Sequence, residues 1–139
     1  MRYDPLYVRF LHYFNKERDY FECHEVMEEL WLEEGRSPLY QGLLQVAVGL
    51  YHARNGNFSG AVKLLTAAVE KLERYPEHRL GIDLDKLIAD SRAYLAQLRE
   101  SGEEFKFYDL DIAITDPELA GLVAAVAEKA EADDAAGGG

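Results

Sequence analysis

The sequence predicts an all-α fold, a compact array of about five to six helices built on antiparallel helical hairpins, with one extended strap near the C-terminus. Apolar residues recur at helical spacing through most of the chain, and glycine or proline separates the periodic segments. One stretch, 105–114, has apolar and charged residues that partly alternate, and this period fits an extended segment better than a helix. Because no shift in composition marks a boundary, we expect a single domain over 1–132 and a disordered tail over 133–139.

The first two helices are predicted over 3–15 and 18–34. Pro5 stands near the start of the first helix, where a missing N–H costs little. Gly35 follows the second helix as a C-terminal stop.

The third helix is predicted from Pro38 to about Asn55, with Ser37 as its N-cap. Its middle is apolar nearly all round, which is typical of a helix buried at the centre of a domain. Gly56 and Asn57 are expected to form the next turn and to cap a fourth helix over 58–75, which Pro76 ends. The short connections predict antiparallel packing of these helices.

The sequence after residue 75 predicts a loop over 76–83 and a fifth helix from about Leu84 to Glu100. The strap over 105–114 is expected to pack across the helices. Thr115 to Glu118 has the pattern of a capping box, with Pro117 inside it. An alanine-rich last helix is expected to run to about Ala132.

Composition and charge exclude several classes of partner. The formal net charge of −11 repels phosphate backbones and anionic lipid, so we expect no nucleic-acid partner and no membrane partner. The longest apolar runs are too short to span a bilayer. Cys23 is the one cysteine, so the chain has no intramolecular disulfide, which fits a cytoplasmic protein.

One pattern is distinctive as a whole, and it combines aromatic, acidic, histidine, glutamine and glycine positions. It comprises Phe14-Asn15, the run 20–31 (YFECHEVMEELW), the run 41–47 (QGLLQVA), Tyr51-His52, Gly56-Asn57 and Gly60-Ala61. The pattern resembles the uncharacterised helical proteins of domain-of-unknown-function family 309 (DUF309) over roughly 10–75. The resemblance implies an all-helical domain and implies no activity.

The second and third helices place polar side chains on facing stripes. Equal rise from a fold-back near residue 36 puts Gln41 near Trp31, Gln45 near Glu28, and His52 near Phe21 and Glu25. Two imidazoles with carboxylates form a ligand set for a divalent metal such as zinc, iron, manganese or nickel. We therefore predict His24, Glu28 and His52 as metal ligands of an enzyme or sensor. Glu25 is then a general base or lies behind the ligands, and the polar cluster is completed by Glu25, Gln41 and Gln45.

Two other interpretations stay open. The cluster can be a structural hydrogen-bond network, because a buried amide or imidazole needs partners. The chain is then a non-catalytic helical interaction domain. Small and apolar residues of the third and fourth helices also stand at the spacing of one tetratricopeptide unit, but no second copy follows. The apolar strap and last helix cover either the core or a homodimer interface.

Several single residues have structural roles in this interpretation. Trp31 is expected in the core, Gly42 at a close approach of two helices, and Gly56 and Asn57 in the turn and cap. His12 and His78 have no partner pattern and are expected on the surface. Cys23 lies about 100° round the helix from His24, so neither a Cys–His pair nor a catalytic thiol is expected.

Overall fold

A computed structural model describes residues 3–76 and 79–137. The helices it describes are α1 Pro5–His12, α2 Tyr20–Glu33, α3 Pro38–Arg54, α4 Phe58–Leu72, α5 Leu84–Ser101 and α6 Pro117–Gly137. A π-helical turn, Tyr13–Glu17, joins α1 to α2, and short 3-10 turns cover Arg79–Gly81 and Gly102–Glu104. The all-α prediction is confirmed, and across both described ranges the only β pairing is one isolated bridge.

Helix α1 ends earlier than the sequence predicts. Asp4 caps it by accepting a hydrogen bond from the Leu6 N–H at 2.8 Å. The chain then widens into the π turn, which Arg18 closes with a left-handed φ of 56°.

The prediction that His12 lies on the surface is wrong, because His12 is only 3% exposed. Helix α1 packs against both α2 and α6, and His12 lies on the buried side of its last turn, whereas Arg9 of the same turn is exposed. The His12 Nε2 lies 2.7 Å from Glu17 Oε2, within ion-pair distance but outside hydrogen-bond geometry. His78, also predicted on the surface, is outside the described residues.

Helix α3 is the central element, as its apolar sequence predicts. It packs against α2 on one side and α4 on the other. The close approach to α4 depends on Gly42, because a Cβ there would stand 2.8 Å from Leu72 Cδ2. Helix α4 starts at the predicted residue and ends at Leu72, three residues before the predicted end.

The strap, residues 105–114, lies across the helices in an extended conformation, as predicted. The Asn15 side-chain amide both donates to the Ile112 carbonyl and accepts from the Ile112 N–H, each at 2.8 Å. Arg18 Nη1 donates to the Leu110 carbonyl at 2.6 Å, and the Tyr94 hydroxyl donates to the Tyr108 carbonyl at 2.9 Å. The strap thus obtains hydrogen bonds mostly from side chains, because it has no strand beside it over most of its length.

Helix α6 differs from prediction at both ends. Asp116 caps it in place of Thr115, since Asp116 Oδ1 accepts from the Glu118 N–H at 3.0 Å. The helix continues to Gly137, beyond the predicted end at about Ala132, so residues 133–137 of the predicted tail are helical. Alanine has the highest helix propensity, which favours this extension. In the described part of the chain, no helix is both long and apolar enough to cross a membrane.

Candidate functional site

Helices α2 and α3 form the antiparallel hairpin on which the predicted site residues lie. Asp19 caps α2 by accepting from the Glu22 N–H at 3.1 Å, and Pro38 starts α3 after a short loop. The rings of Phe21 and Tyr51 lie 6.5 Å apart, which places the start of α2 beside the end of α3.

His24 is paired along its own helix. Its Nε2 lies 3.0 Å from Glu28 Oε2, one turn away, and its Nδ1 lies 3.4 Å from Glu25 Oε1. The side chains are open to solvent, with exposed fractions of 39% for His24, 49% for Glu28 and 55% for Glu25. This part of the predicted cluster is therefore an exposed acidic and imidazole patch.

His52 faces a different partner. Its Nδ1 lies 3.4 Å from Asn57 Nδ2, the amide being the donor, and its ring contacts Tyr51 at 5.9 Å between centroids. In residues 3–76 and 79–137, no three His, Cys, Asp or Glu side chains are grouped so that they could hold a metal ion. The structure brings His24 to Glu28 and Glu25, and it does not bring His52 into a ligand set with them.

Two buried polar atoms on the hairpin have no hydrogen-bond partner among the described residues. They are Trp31 Nε1, which can only donate, and Gln45 Oε1, which accepts. Trp31 is only partly buried, and the Arg36 guanidinium lies over its ring at 5.4 Å. Gln41 is also partly buried, at the first turn of α3. Burying a polar group without a hydrogen-bond partner costs free energy, so both atoms lower the stability of the hairpin.

The same hairpin carries apolar side chains that are exposed or partly exposed. Phe21 is 53% exposed and Leu32 is 50% exposed, while Leu44, Val48 and Tyr51 are partly exposed. At 100° per residue, the α2 members share one side of that helix. We call this surface the hairpin face; its members are Phe21, His24, Glu28, Trp31, Leu32, Leu44, Gln45, Val48, Tyr51 and His52.

The prediction that Trp31 lies in the core is wrong, because Trp31 is only partly buried and belongs to the hairpin face, whereas Gly56 and Asn57 form the turn and cap as predicted. Gly56 adopts a φ of 81°, which favours glycine, and Asn57 Oδ1 caps α4 by accepting from the Gly60 N–H at 3.1 Å. Cys23 is fully buried, and burial raises the pKa of its thiol, so the thiolate is strongly disfavoured.

Sequence reasoning missed two features of this region. The exposure of Phe21 and Leu32 could have been inferred from their position on the charged side of α2. The roles of Asn15, Arg18 and Tyr20 in holding the strap depend on contacts with residues about ninety positions away, which no local pattern shows.

The comparisons with known proteins concern this same region. Residues 7–64 match the family model Domain of unknown function (DUF309). The predicted resemblance is therefore confirmed over α1, α2, α3 and the first half of α4, which include the whole hairpin face.

Two curated relatives are similar to the chain, and both are uncharacterised. The chain is 40% identical over 93 residues to "Uncharacterized protein YpuF" of Bacillus subtilis (strain 168), a match covering 62% of this chain and 52% of that protein. It is 28% identical over 83 residues to an "Uncharacterized protein" of Aquifex aeolicus (strain VF5), covering 58% of this chain and 24% of that protein. The match thus spans about half the length of the first relative and a quarter of the second. No solved structure is significantly similar.

Proposed function

We propose that the chain is a non-catalytic helical interaction domain that binds a protein partner through the hairpin face. The observation that carries this proposal is the exposure of two large apolar side chains, Phe21 and Leu32, on one helix of the hairpin. A partner that covers the exposed apolar side chains removes them from water.

The composition of the hairpin face is that of a binding surface. Tryptophan and tyrosine are enriched among the residues that dominate binding energy, and Trp31 and Tyr51 both lie there. The accompanying charges are mainly acidic, from Glu25 and Glu28, so the expected partner surface is basic. The net charge of −11 opposes nucleic acid and anionic membrane. The buried free thiol of Cys23 supports a cytoplasmic location.

Site-specific photo-crosslinking tests the proposal. A photoreactive phenylalanine at position 21 is compared with one at position 108, where Tyr108 is also an exposed aromatic residue but lies on the strap. We expect one discrete protein adduct from position 21 and none of that mass from position 108. A second copy of this chain as the adduct would make the partner a homodimer subunit.

The identified partner is then used in a quantitative assay. Phe21→Ala with Leu32→Ala should weaken its binding by at least about tenfold, because both changes remove exposed apolar contact area. Ser59→Ala with Lys63→Ala, at exposed positions of α4, should leave the affinity unchanged. Equal adducts from both crosslinking positions, or equal affinities for both double variants, would contradict the proposal.

A divalent-metal site is the second candidate, and the His24–Glu28 pair favours it. The 3.0 Å contact holds an imidazole and a carboxylate together on an open surface, which supplies two ligands of a site. His52 would complete it only after its side chain turns from Asn57. Elemental analysis of protein purified without chelator should find near-stoichiometric metal, lost in a His24→Ala/His52→Ala variant. Metal-free wild-type protein that also fails to bind added Zn²⁺ would exclude this candidate.

A further inference from the structure

A separate groove of about 530 Å³ lies between α1 and α6 and shares no residue with the hairpin face. Its walls are aliphatic, from Val8 of α1 and from Leu122, Val126, Ala125 and Ala130 of α6. The alanines create the space, because larger side chains at these positions would fill it. The volume is within the range of about 300–1,000 Å³ that is usual for small-molecule sites.

The chemistry of the lining restricts what the groove can bind. None of the described residues that line it has a neutral polar side chain. Sugars, nucleobases and extended peptides need such groups, or free backbone groups, to satisfy their own polar atoms. The absence of aromatic rings in the lining also favours an aliphatic guest over a flat one.

Two cations stand among the lining residues. Arg9 and Lys129 are both there, and neither makes an ion pair with a described residue. Asp133 is the one carboxylate of the lining, so the two cations leave one positive charge in surplus. A surplus cation beside an apolar groove is notable in a chain with a net charge of −11, and it complements a ligand with one negative charge.

We infer that the groove between α1 and α6 binds a single-chain aliphatic carboxylate, a free fatty-acid-like monoanion. Its hydrocarbon chain lies against Val8, Leu122 and Val126, and its carboxylate pairs with Arg9 and Lys129. This activity is independent of the proposed protein interaction, since it uses other residues on other elements.

Calorimetric titration with octanoate, decanoate and dodecanoate, each below its micellar concentration, tests the inference. We expect one site per chain and an affinity that rises about two- to fourfold for each added methylene, as burial of hydrocarbon predicts. Decanoate should bind at least about tenfold more tightly than decyltrimethylammonium, because the surplus charge at the groove is positive.

Matched variants separate specific binding from general surface adsorption. Ala125→Leu fills the groove and should weaken decanoate binding at least tenfold. Ala124→Leu makes the same change at the adjacent position outside the lining and should have no effect. Arg9→Gln with Lys129→Gln should weaken decanoate binding tenfold and leave 1-decanol within twofold. Lys63→Gln with Lys106→Gln, which are exposed elsewhere, should change neither.

Three results would overturn the inference. They are multiple weak sites without chain-length dependence, equal binding of the anionic and cationic probes, and equal loss in the Ala125→Leu and Ala124→Leu variants. Sedimentation velocity on each variant is run in parallel. A wild-type dimer that Ala125→Leu converts to monomer, with no decanoate bound, would assign the groove to a second copy and also overturn it. Circular dichroism confirms that each variant is folded before its affinity is interpreted.

Discussion

At the scale of single residues, burial decides which side chains can react. Cys23 is fully buried beside the Phe10 carbonyl, with Sγ 3.7 Å from the oxygen, whereas His24 one position later is half-exposed. The helical rotation between neighbours separates an inert thiol from an open imidazole. Cys23 and His24 are therefore adjacent in the sequence but do not form a reactive pair.

Thiol labelling checks this difference. In a Ser59→Cys variant, the introduced thiol on the exposed start of α4 should react at the rate of a free thiol. Cys23 should react at least ~100-fold more slowly, because it requires opening of the core and its raised pKa disfavours the thiolate. In urea the two rates should become similar. Fast labelling of both thiols in native buffer would show that α2 opens readily from the core.

At the scale of elements, the crossing of α3 and α4 and the attachment of the strap are the two critical contacts. Gly42 and Gly49 both face leucines of α4, and a Cβ at Gly49 would stand 2.9 Å from Leu65 Cγ. The strap is held by side chains of the segment between α1 and α2. Residues 7–64 match the family model, and both contacts join residues of this segment to residues that follow it in the chain.

Two glycine-to-alanine changes should have opposite signs. Gly42→Ala places a methyl group 2.8 Å from buried Leu72 and should destabilise the fold by about 1–3 kcal/mol, because overpacking exceeds the gain in helix propensity. Gly121→Ala on α6 meets no atom within 4 Å and should stabilise it by about 0.5–1 kcal/mol. Urea unfolding measures both. Equal effects would mean that α3 and α4 can separate without cost.

The strap attachment gives a second prediction at this scale. Asn15→Ala removes both hydrogen bonds to Ile112 and should lower the free energy of unfolding by about 1–3 kcal/mol. Amide exchange at Ile112 should accelerate at the same time. Asn55→Ala, at an exposed position after α3, is the control and should be near neutral. An unchanged exchange rate at Ile112 in Asn15→Ala would show that packing alone holds the strap.

At the scale of the whole molecule, buried tyrosine hydroxyls link stability to alkaline pH. Tyr20 is fully buried and donates to Asp109 on the strap. Burial, and then the Asp109 carboxylate, raises the pKa of Tyr20 well above its ordinary value. The folded state therefore keeps a proton that the unfolded state loses, and stability falls as pH rises through the ordinary tyrosine range.

This linkage predicts that the free energy of unfolding falls as the pH rises, and that a single substitution reduces this fall. The free energy of unfolding should fall from roughly pH 9 to 11, and Tyr20→Phe should flatten part of that fall. Tyr51→Phe, at a partly exposed position on the hairpin face, is the matched control. Denaturant titrations at several pH values measure the slope. An unaltered slope in Tyr20→Phe would mean that other groups cause the alkaline loss.

The order of the helices and the α2–α3 hairpin were determined by sequence alone, because helical periodicity, capping residues and stop glycines act locally. Phe58 follows its Asn57 cap as predicted, and Gly42 occupies the predicted close approach. The resemblance over 7–64 also depended only on the residues themselves. These features can be inferred without knowing which helices pack against each other.

Tertiary structure alone decided which polar side chains meet and which faces stay open. His52 turns to Asn57, His12 is enclosed by neighbouring helices, and Asn15 bonds a strap that is 97 residues away. The groove between α1 and α6 exists because two helices from opposite ends of the described chain pack together. Such contacts depend on the packing of whole elements, and that packing leaves only weak traces in the local pattern of residues.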